Sequence, residues 1–461
     1  MARNSSIVAF ERPVVRVALG VLVFAAMLVA IASAWYQPWR FTDYQLLGGL
    51  VLLEILGFLL WNFTRWFYTA VVLSFLGLAL TIPGHTALDA GRWVLLGVGA
   101  AVGWATLKNG PFWRFGTFHL VATFCIVSAV VSSVGSPFPT VALAKAGSLF
   151  LLFCYAATGA RLAAAGREAK FLRGLVLGLE IMVYLTAASY FLLGLNVFDN
   201  GNNLGTAMSV GAFPVLLWAF LASQGRQRTR MLIALLTCCA LLLYSLERAG
   251  ILAAAVVALV WCLALRRYRL IAKAAFILLF ALALSAVFRP ARMQETVTTF
   301  TDAMLHKGKR ETSILESRRS TWDTAMSDIK AHPFFGTGYG VSPQGNLSKA
   351  EVDIFHSSWH LSRENGSSYL KIVGWVGLLG LIPFVALLFL VVRNIFRACR
   401  WVTTHGNPYH YSIPLAMVLV AGLVHAGFED WLFAVGFYAS VYFWTLAFIL
   451  VDLLPPSRTK S

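Results

Sequence analysis

The chain has 461 residues, 59% of them hydrophobic and 12% charged, with a mean hydropathy of +0.74. That is far too apolar for a soluble globular domain and reads as a polytopic membrane protein. The formal charge of +17 does not indicate a nucleic-acid binder, which gathers its basic residues on a soluble domain; here they punctuate hydrophobic runs, and topology explains them better.

The N-terminus carries Arg3, Arg12 and Arg16 ahead of an apolar run ending Ala32-Ser33-Ala34, somewhat like a secretory signal. Because the run is long and more spans follow, it is expected to stay as an uncleaved first helix. A span needs about 20 apolar residues, which predicts helices near 14–35, 44–62, 66–82, 92–107, 117–134, 139–160, 174–195, 205–223, 231–246, 250–265, 270–288, 372–392, 411–427 and 431–453. The fold class is therefore an all-α polytopic membrane protein with about 12–14 transmembrane helices and one large, partly helical outer loop. Three parts follow: a helix bundle over 1–288, the polar interval 289–371 and C-terminal spans over 372–461. The six cysteines (Cys125, Cys154, Cys238, Cys239, Cys262 and Cys399) lie in hydrophobic runs or in a loop expected in the cytoplasm, without metal-type spacing, so no disulfide is expected.

Orientation follows from lysine and arginine in the short loops. With the N-terminus inside, four cytoplasmic loops carry Arg161, Arg167, Lys170 and Arg173; Arg226, Arg228 and Arg230; Arg266, Arg267, Arg269 and Lys273; and Arg393, Arg397 and Arg400. The opposite short loops carry only Arg40, Arg92 and Arg248. The same alternation gathers Asn200-Gly201-Asn202-Asn203, Glu247-Arg248, the whole interval 289–371 and Glu429-Asp430 on the outer side, and both termini inside. No inverted repeat or matching pair of broken helices, the pattern of a secondary transporter, is visible.

Within the outer interval, Ser317 to Ala331 reads as an amphipathic helix. Trp322, Ala325, Met326 and Ile329 recur at helical spacing, Ser320 with Asp323 fits a capping pattern, and Pro333 ends the helix. If it begins a turn before Ser320, Arg318 shares a face with Trp322, Ala325 and Ile329, while Arg319 meets Asp323 at i, i+4 in solvent. The alternative for Arg318 is a side chain snorkelling at a headgroup surface. Gly336, Gly338 and Gly340 around Tyr339 make a tight turn; such turns can offer N–H groups to a phosphate, but this one lacks the Lys-Ser/Thr of a nucleotide loop. His356 and His360, with Asp353 nearby, lack the glutamate of a zinc-protease helix. Glu364 precedes the span at 372, where a helix dipole favours a carboxylate; it is either a cap or a general base. Arg248 sits at an outer helix boundary in apolar surroundings, which makes it a functional candidate. A pair with the adjacent Glu247 is the alternative, although neighbours on a helix do not face each other. Lys145, Glu54 and Glu180 fall inside predicted spans without an assignment, Glu180 near the cytoplasmic end.

Taken together, Arg318 followed by Trp322, His332-Pro333-Phe334, Gly336-Thr337-Gly338-Tyr339-Gly340, Glu364-Asn365 with Tyr369-Leu370, Gly374 and Gly377-Leu378-Leu379-Gly380 resemble the O-antigen ligase and O-antigen polymerase superfamily. Asn202-Asn203-Leu204-Gly205 resembles its Asn-rich start of a membrane helix, and Ser245 to Gly250 its Ser-x-x-Arg-x-Gly element. The similarity extends over residues 196 to 380; the first half matches only as hydrophobic helices. The resemblance implies a metal-independent glycosyltransferase, without cofactor, on the periplasmic side of a bacterial inner membrane. Its donor would be an undecaprenyl-pyrophosphate-linked glycan and its acceptor lipid A-core or another glycan, with no nucleic-acid partner. Arg248 and Arg318 match the family's arginine positions, and Arg289 and Arg292 are looser candidates for the pyrophosphate. The family's ligases use a histidine ahead of Asn as base; here Glu364 stands in that place, so Glu364, His356 or His360 is implied as the base. A transporter or flippase of lipid-linked glycans, with the loop as a lid, is the alternative, disfavoured by the few intramembrane charges. A scaffold that binds a partner through the loop is a third reading.

Overall fold

The computed structural model describes residues 93, 96–101, 103–104, 115–194, 198, 201–266, 269, 316–341, 366–405 and 409–454, with backbone alone at 316–318, 320, 321 and 324. The predicted spans 14–35, 44–62, 66–82 and 270–288 lie outside these described residues, as do Glu54, Arg289, Arg292, His356, His360 and Glu364. The described elements are helical, without a strand, and the chain is an all-α polytopic membrane protein.

Helices α1 (Thr117–Val134) and α2 (Pro139–Ala157) form the first hairpin, followed by a 3-10 turn at Arg161–Ala163 and α3 (Glu168–Phe191). Next come α4 (Gly201–Ala222), α5 (Gly225–Tyr244) and α6 (Arg248–Ala264). The chain is described again in α7 (Glu316–Ala331), α8 (Ser368–His405), α9 (Ser412–Ala426) and α10 (Tyr438–Leu453). Among the described residues, six segments are long and apolar enough to cross a membrane, Thr117–Val134, Pro139–Ala163, Glu168–Phe191, Gly201–Ala222, Gly225–Tyr244 and Ser368–His405, and α6, α9 and α10 are shorter apolar helices.

α9 and α10 carry apolar residues on every side and are buried along nearly their whole length, as all-round hydrophobic helices must be. They form the centre. α1, α3 and α5 show a second apolar face outward, with Leu120, Phe124, Val127, Val131, Leu185 and Leu236 exposed, which suits a surface solvated by lipid. α4 contains a π-helical turn at Ala207–Ala212. Pro214 explains it: proline has no N–H for the carbonyl one turn back, and the ladder shifts register locally. The side chain of Tyr442 supplies a hydrogen bond to the Gly211 carbonyl at 3.2 Å.

The hairpins sort the polar residues into two ends. At one end Arg161, nearly buried, forms a two-point bond with Asp452 (Nε to Oδ2 2.6 Å, Nη2 to Oδ1 2.7 Å), tying the α2–α3 connection to α10. Arg230 pairs with Glu180 at this end, which places Glu180 beside the basic loop of α5 as its sequence position suggested. At the other end Ser136 donates to the Thr337 carbonyl at 2.7 Å, and Ser368 to that of Glu429 at 2.7 Å.

Four expectations need correction. α8 is not 372–392 but Ser368–His405, with a break at Gly377, where φ is 66° and ψ 179°. Residues 431–437 are not helical; α10 begins at Tyr438, and Trp431, Leu432, Phe433 and Val435 form a buried loop. Leu432 cannot continue a helix because its carbonyl accepts the Trp444 indole at 2.7 Å and the Ser440 hydroxyl at 3.1 Å. In α7 the packed face is Trp322, Ala325 and Ile329, as spacing predicted, but Met326 is exposed. The helix already runs from Glu316, so the Ser320–Asp323 pattern lies inside it and is no cap.

Candidate functional site

The site is built where α7, the glycine turn and the first residues of α4, α6 and α8 meet. The break in α8 is its scaffold. Interrupting a membrane helix frees backbone groups that must find partners inside the protein. The stretch 332–341 docks into the gap and supplies them. The amides of Thr337 and Gly338 donate to the carbonyls of Gly374 (2.9 Å) and Trp375 (3.1 Å). In return the amides of Leu378 and Leu379 donate to the carbonyls of Pro333 (2.8 Å) and Phe334 (3.2 Å). The hydroxyls of Ser132 and Ser128 in α1 donate to the Trp375 and Gly380 carbonyls. Gly336 and Gly377 both have φ near +70°, and a Cβ on either would strike the other segment's backbone. This gives the Gly-x-Gly-Tyr-Gly turn and the Gly377-to-Gly380 motif one physical purpose. Tyr339 locks the dock: it is buried, packs on Trp375 and Phe384, and donates to the Phe433 carbonyl at 2.7 Å.

Arg248 is the first residue of α6 and is half-buried. The turn before it contains Leu246 at φ +51°, a left-handed conformation that costs a branched residue about 1–2 kcal/mol. Ser245 steadies that turn by donating to the Leu242 carbonyl at 2.7 Å and accepting the Glu247 amide at 3.2 Å. The tight reversal sends Glu247 into the bundle. Its Oε1 lies 2.8 Å from Nε2 of His425, and the two side chains are 3% and 0% exposed. The Trp431 indole donates to His425 Nδ1 at 2.8 Å. An indole N–H can only donate, so Nδ1 presents its lone pair and Nε2 carries the proton facing Glu247. Thr206 donates to the Asn202 carbonyl at 2.8 Å and stands 3.2 Å from His425 Nε2. Gly205 makes room, since a Cβ there would collide with Glu247. Among the described residues, Glu247 Oε2 and Ser209 Oγ have no hydrogen-bond partner.

The loop 427–437 extends this network. Glu429 Oε1 is 3.5 Å from Asn202 Nδ2. Lys371, one turn into α8, donates to Asp430 at 2.7 Å. Asn202, Glu247-Arg248, the turn 332–341, the start of α8 and Glu429-Asp430 therefore meet at one end of the bundle, the set that the alternation of loops predicted.

Of the predicted site residues, Arg248 stands beside this network, and Arg318 lies in α7 at a position that shares the packed face by spacing, its side chain outside the described residues. Arg319 and Asp323 are both exposed. Glu247 does not pair with Arg248 but with His425. The sequence reading missed His425, Trp431 and Thr206. The available signal was an imidazole inside a predicted span, 411–427, since an ionisable residue at membrane depth is a functional hypothesis in itself.

Helical bundle and site together describe an integral-membrane protein with a buried polar network beside the docked turn at one end of its helices. Residues 232–385, about a third of the chain, match the family model described as O-antigen ligase. This match covers α6, α7, the docked turn and the α8 break, and it relates the chain to the O-antigen ligase and polymerase superfamily. It supports an O-antigen ligase-type function in general. No curated protein matches the chain.

Proposed function

We propose that the chain is a metal-independent, inverting glycosyltransferase that moves a glycan from undecaprenyl pyrophosphate to lipid A-core or to another lipid-linked glycan. The reading is supported by the match of residues 232–385 to the ligase model and by Arg248, α7 and the docked glycine turn lying at the same end of the bundle, opposite the basic loops. By the positive-inside rule that end faces the periplasm of a bacterial inner membrane.

In the reaction the acceptor hydroxyl attacks the anomeric carbon and loses its proton to a base, while the anomeric C–O bond breaks and its electron pair leaves with the pyrophosphate. Negative charge accumulates on that leaving group, so guanidinium groups fixed beside it lower the barrier. Arg248 and Arg318 are assigned this role, with Arg289 and Arg292 as supporting cations. Glu364 is assigned as the base, with His356 and His360 as the competing assignment. The Glu247–His425 pair touches no substrate in this scheme; it holds the turn from which Arg248 projects. A flippase reading would leave the match to a ligase family without a purpose.

Loss of the gene is expected to strand glycan on the polyprenyl carrier, as long chains if the acceptor is lipid A-core and as single repeats if it is another repeat. Unchanged carrier and acceptor glycans on a gel would overturn the proposal. Glu364→Gln is expected to abolish transfer and His356→Ala to preserve it; the reverse result moves the base to the histidine.

A further inference from the structure

Lys145 stands in α2 between Ala144 and Ala146, in a span whose other residues are uncharged. Its Nζ donates to the Gly340 carbonyl at 2.7 Å, and among the described residues no carboxylate accompanies it. Lys371 joins the corner through the dock, since the carbonyl of Trp375, one turn further along α8, accepts the Gly338 amide at 3.1 Å. Lys371 is itself 3% exposed, bonded to Asp430 and set 4.9 Å from the centre of the Trp375 ring. Among the described residues the corner thus holds two ammonium groups and one carboxylate. A carbonyl offers only a partial charge, and an ammonium in low-dielectric surroundings is costly without an anion.

The glycine turn closes the corner. Gly340, at φ +75°, lies so close to the Lys145 stem that a Cβ would overlap it, which fixes the direction of the lysine. The amides of Gly336, Thr337, Gly338 and Val341 are taken by other carbonyls of the dock, whereas those of Tyr339 and Gly340 are engaged by no other described group. Lys145 is half-buried, so a ligand approaches the corner from its side, with Lys371 and Gly338–Gly340 buried behind it.

We propose that Lys145, Lys371 and the turn Gly338–Gly340 form a binding corner for a phosphate group, separate from the arginines assigned above. A lysine point charge beside spare backbone amides is the chemistry that phosphate recognition uses. The inference stands on these charges and distances and does not rest on transfer activity. The phosphate has two possible sources, the pyrophosphate of a lipid-linked donor or the phosphodiester of an anionic bilayer lipid.

The test is thermal unfolding of the full chain, titrated with inorganic pyrophosphate in a neutral detergent and, separately, with phosphatidylglycerol in nanodiscs of neutral lipid. The wild type is expected to shift upward with at least one of them. A pyrophosphate response assigns the corner to the donor, and a response to phosphatidylglycerol alone assigns it to the bilayer. Lys145→Met is expected to weaken the acting ligand at least ten-fold, and Lys145→Arg to retain it. Lys145→Gln, which keeps the bond to Gly340 without the charge, carries the same test should the methionine variant not fold. In Arg248→Ala the Lys145-dependent shift is expected to persist, which separates this corner from the proposed catalytic arginine. A wild type unmoved by either ligand, or Lys145→Met with undiminished responses, overturns the proposal.

Discussion

At Glu247 a carboxylate is kept inside the helix bundle because each neighbour has one compatible role. Trp431 can only donate, which leaves His425 to offer its Nε2 proton to the carboxylate at 2.8 Å. Removing the imidazole strands a buried acid, so His425→Ala is expected to lower stability by about 3–5 kcal/mol. Glu247→Ala leaves a neutral ring and is expected to cost about 1–3 kcal/mol. The double variant should cost less than the sum, because the two residues act through one contact. Thermal unfolding of the purified variants measures all three, and additive losses would show that the pair is uncoupled. The sequence revealed Glu247 and Arg248 as ionisable residues at a helix boundary, but not their division of labour. The partner of Glu247 is 178 residues away, and no local spacing encodes that distance.

Among the elements, α8 shows what periodicity reads and what it cannot. The residues Gly374 and Gly377 to Gly380 were legible as a motif, and α7 was legible as a helix with its inward face of Trp322, Ala325 and Ile329. The break was not legible, because both halves of α8 are apolar and read as one continuous span. Only the docked turn, arriving from about forty residues upstream, completes the hydrogen bonds that make a gap tolerable. Residues 431–437 were misread as helix for the same reason: Trp431, Leu432 and Phe433 are as apolar as a helix, and side chains of α10 claim the carbonyl of Leu432. Gly377→Ala forces an L-residue to φ 66° against the Phe334 backbone. It is expected to cost at least about 1–3 kcal/mol and to speed amide exchange at Leu378 and Leu379, read by hydrogen-exchange mass spectrometry. Unchanged exchange would mean that the turn does not hold the break.

Over the whole molecule, the alternation of basic loops predicted which hairpins share an end, and the described helices follow it. Arg161–Asp452 and Arg230–Glu180 gather at one end; the docked turn, Arg248 and the Glu247–His425 network gather at the other. Charge asymmetry was readable because it is a property of loops. The interior of the polar end was not, because it is assembled from segments whose only shared signal is their end of the membrane. The proposal at this scale is that the arginines of this end stabilise the leaving pyrophosphate. Its most direct test is transfer from a purified polyprenyl-pyrophosphate glycan by membrane-inserted wild type, Arg248→Ala and Arg318→Ala at equal abundance. Glycan transfer by the wild type and a loss of about 100-fold or more in each variant are expected. Normal product from both variants would contradict it.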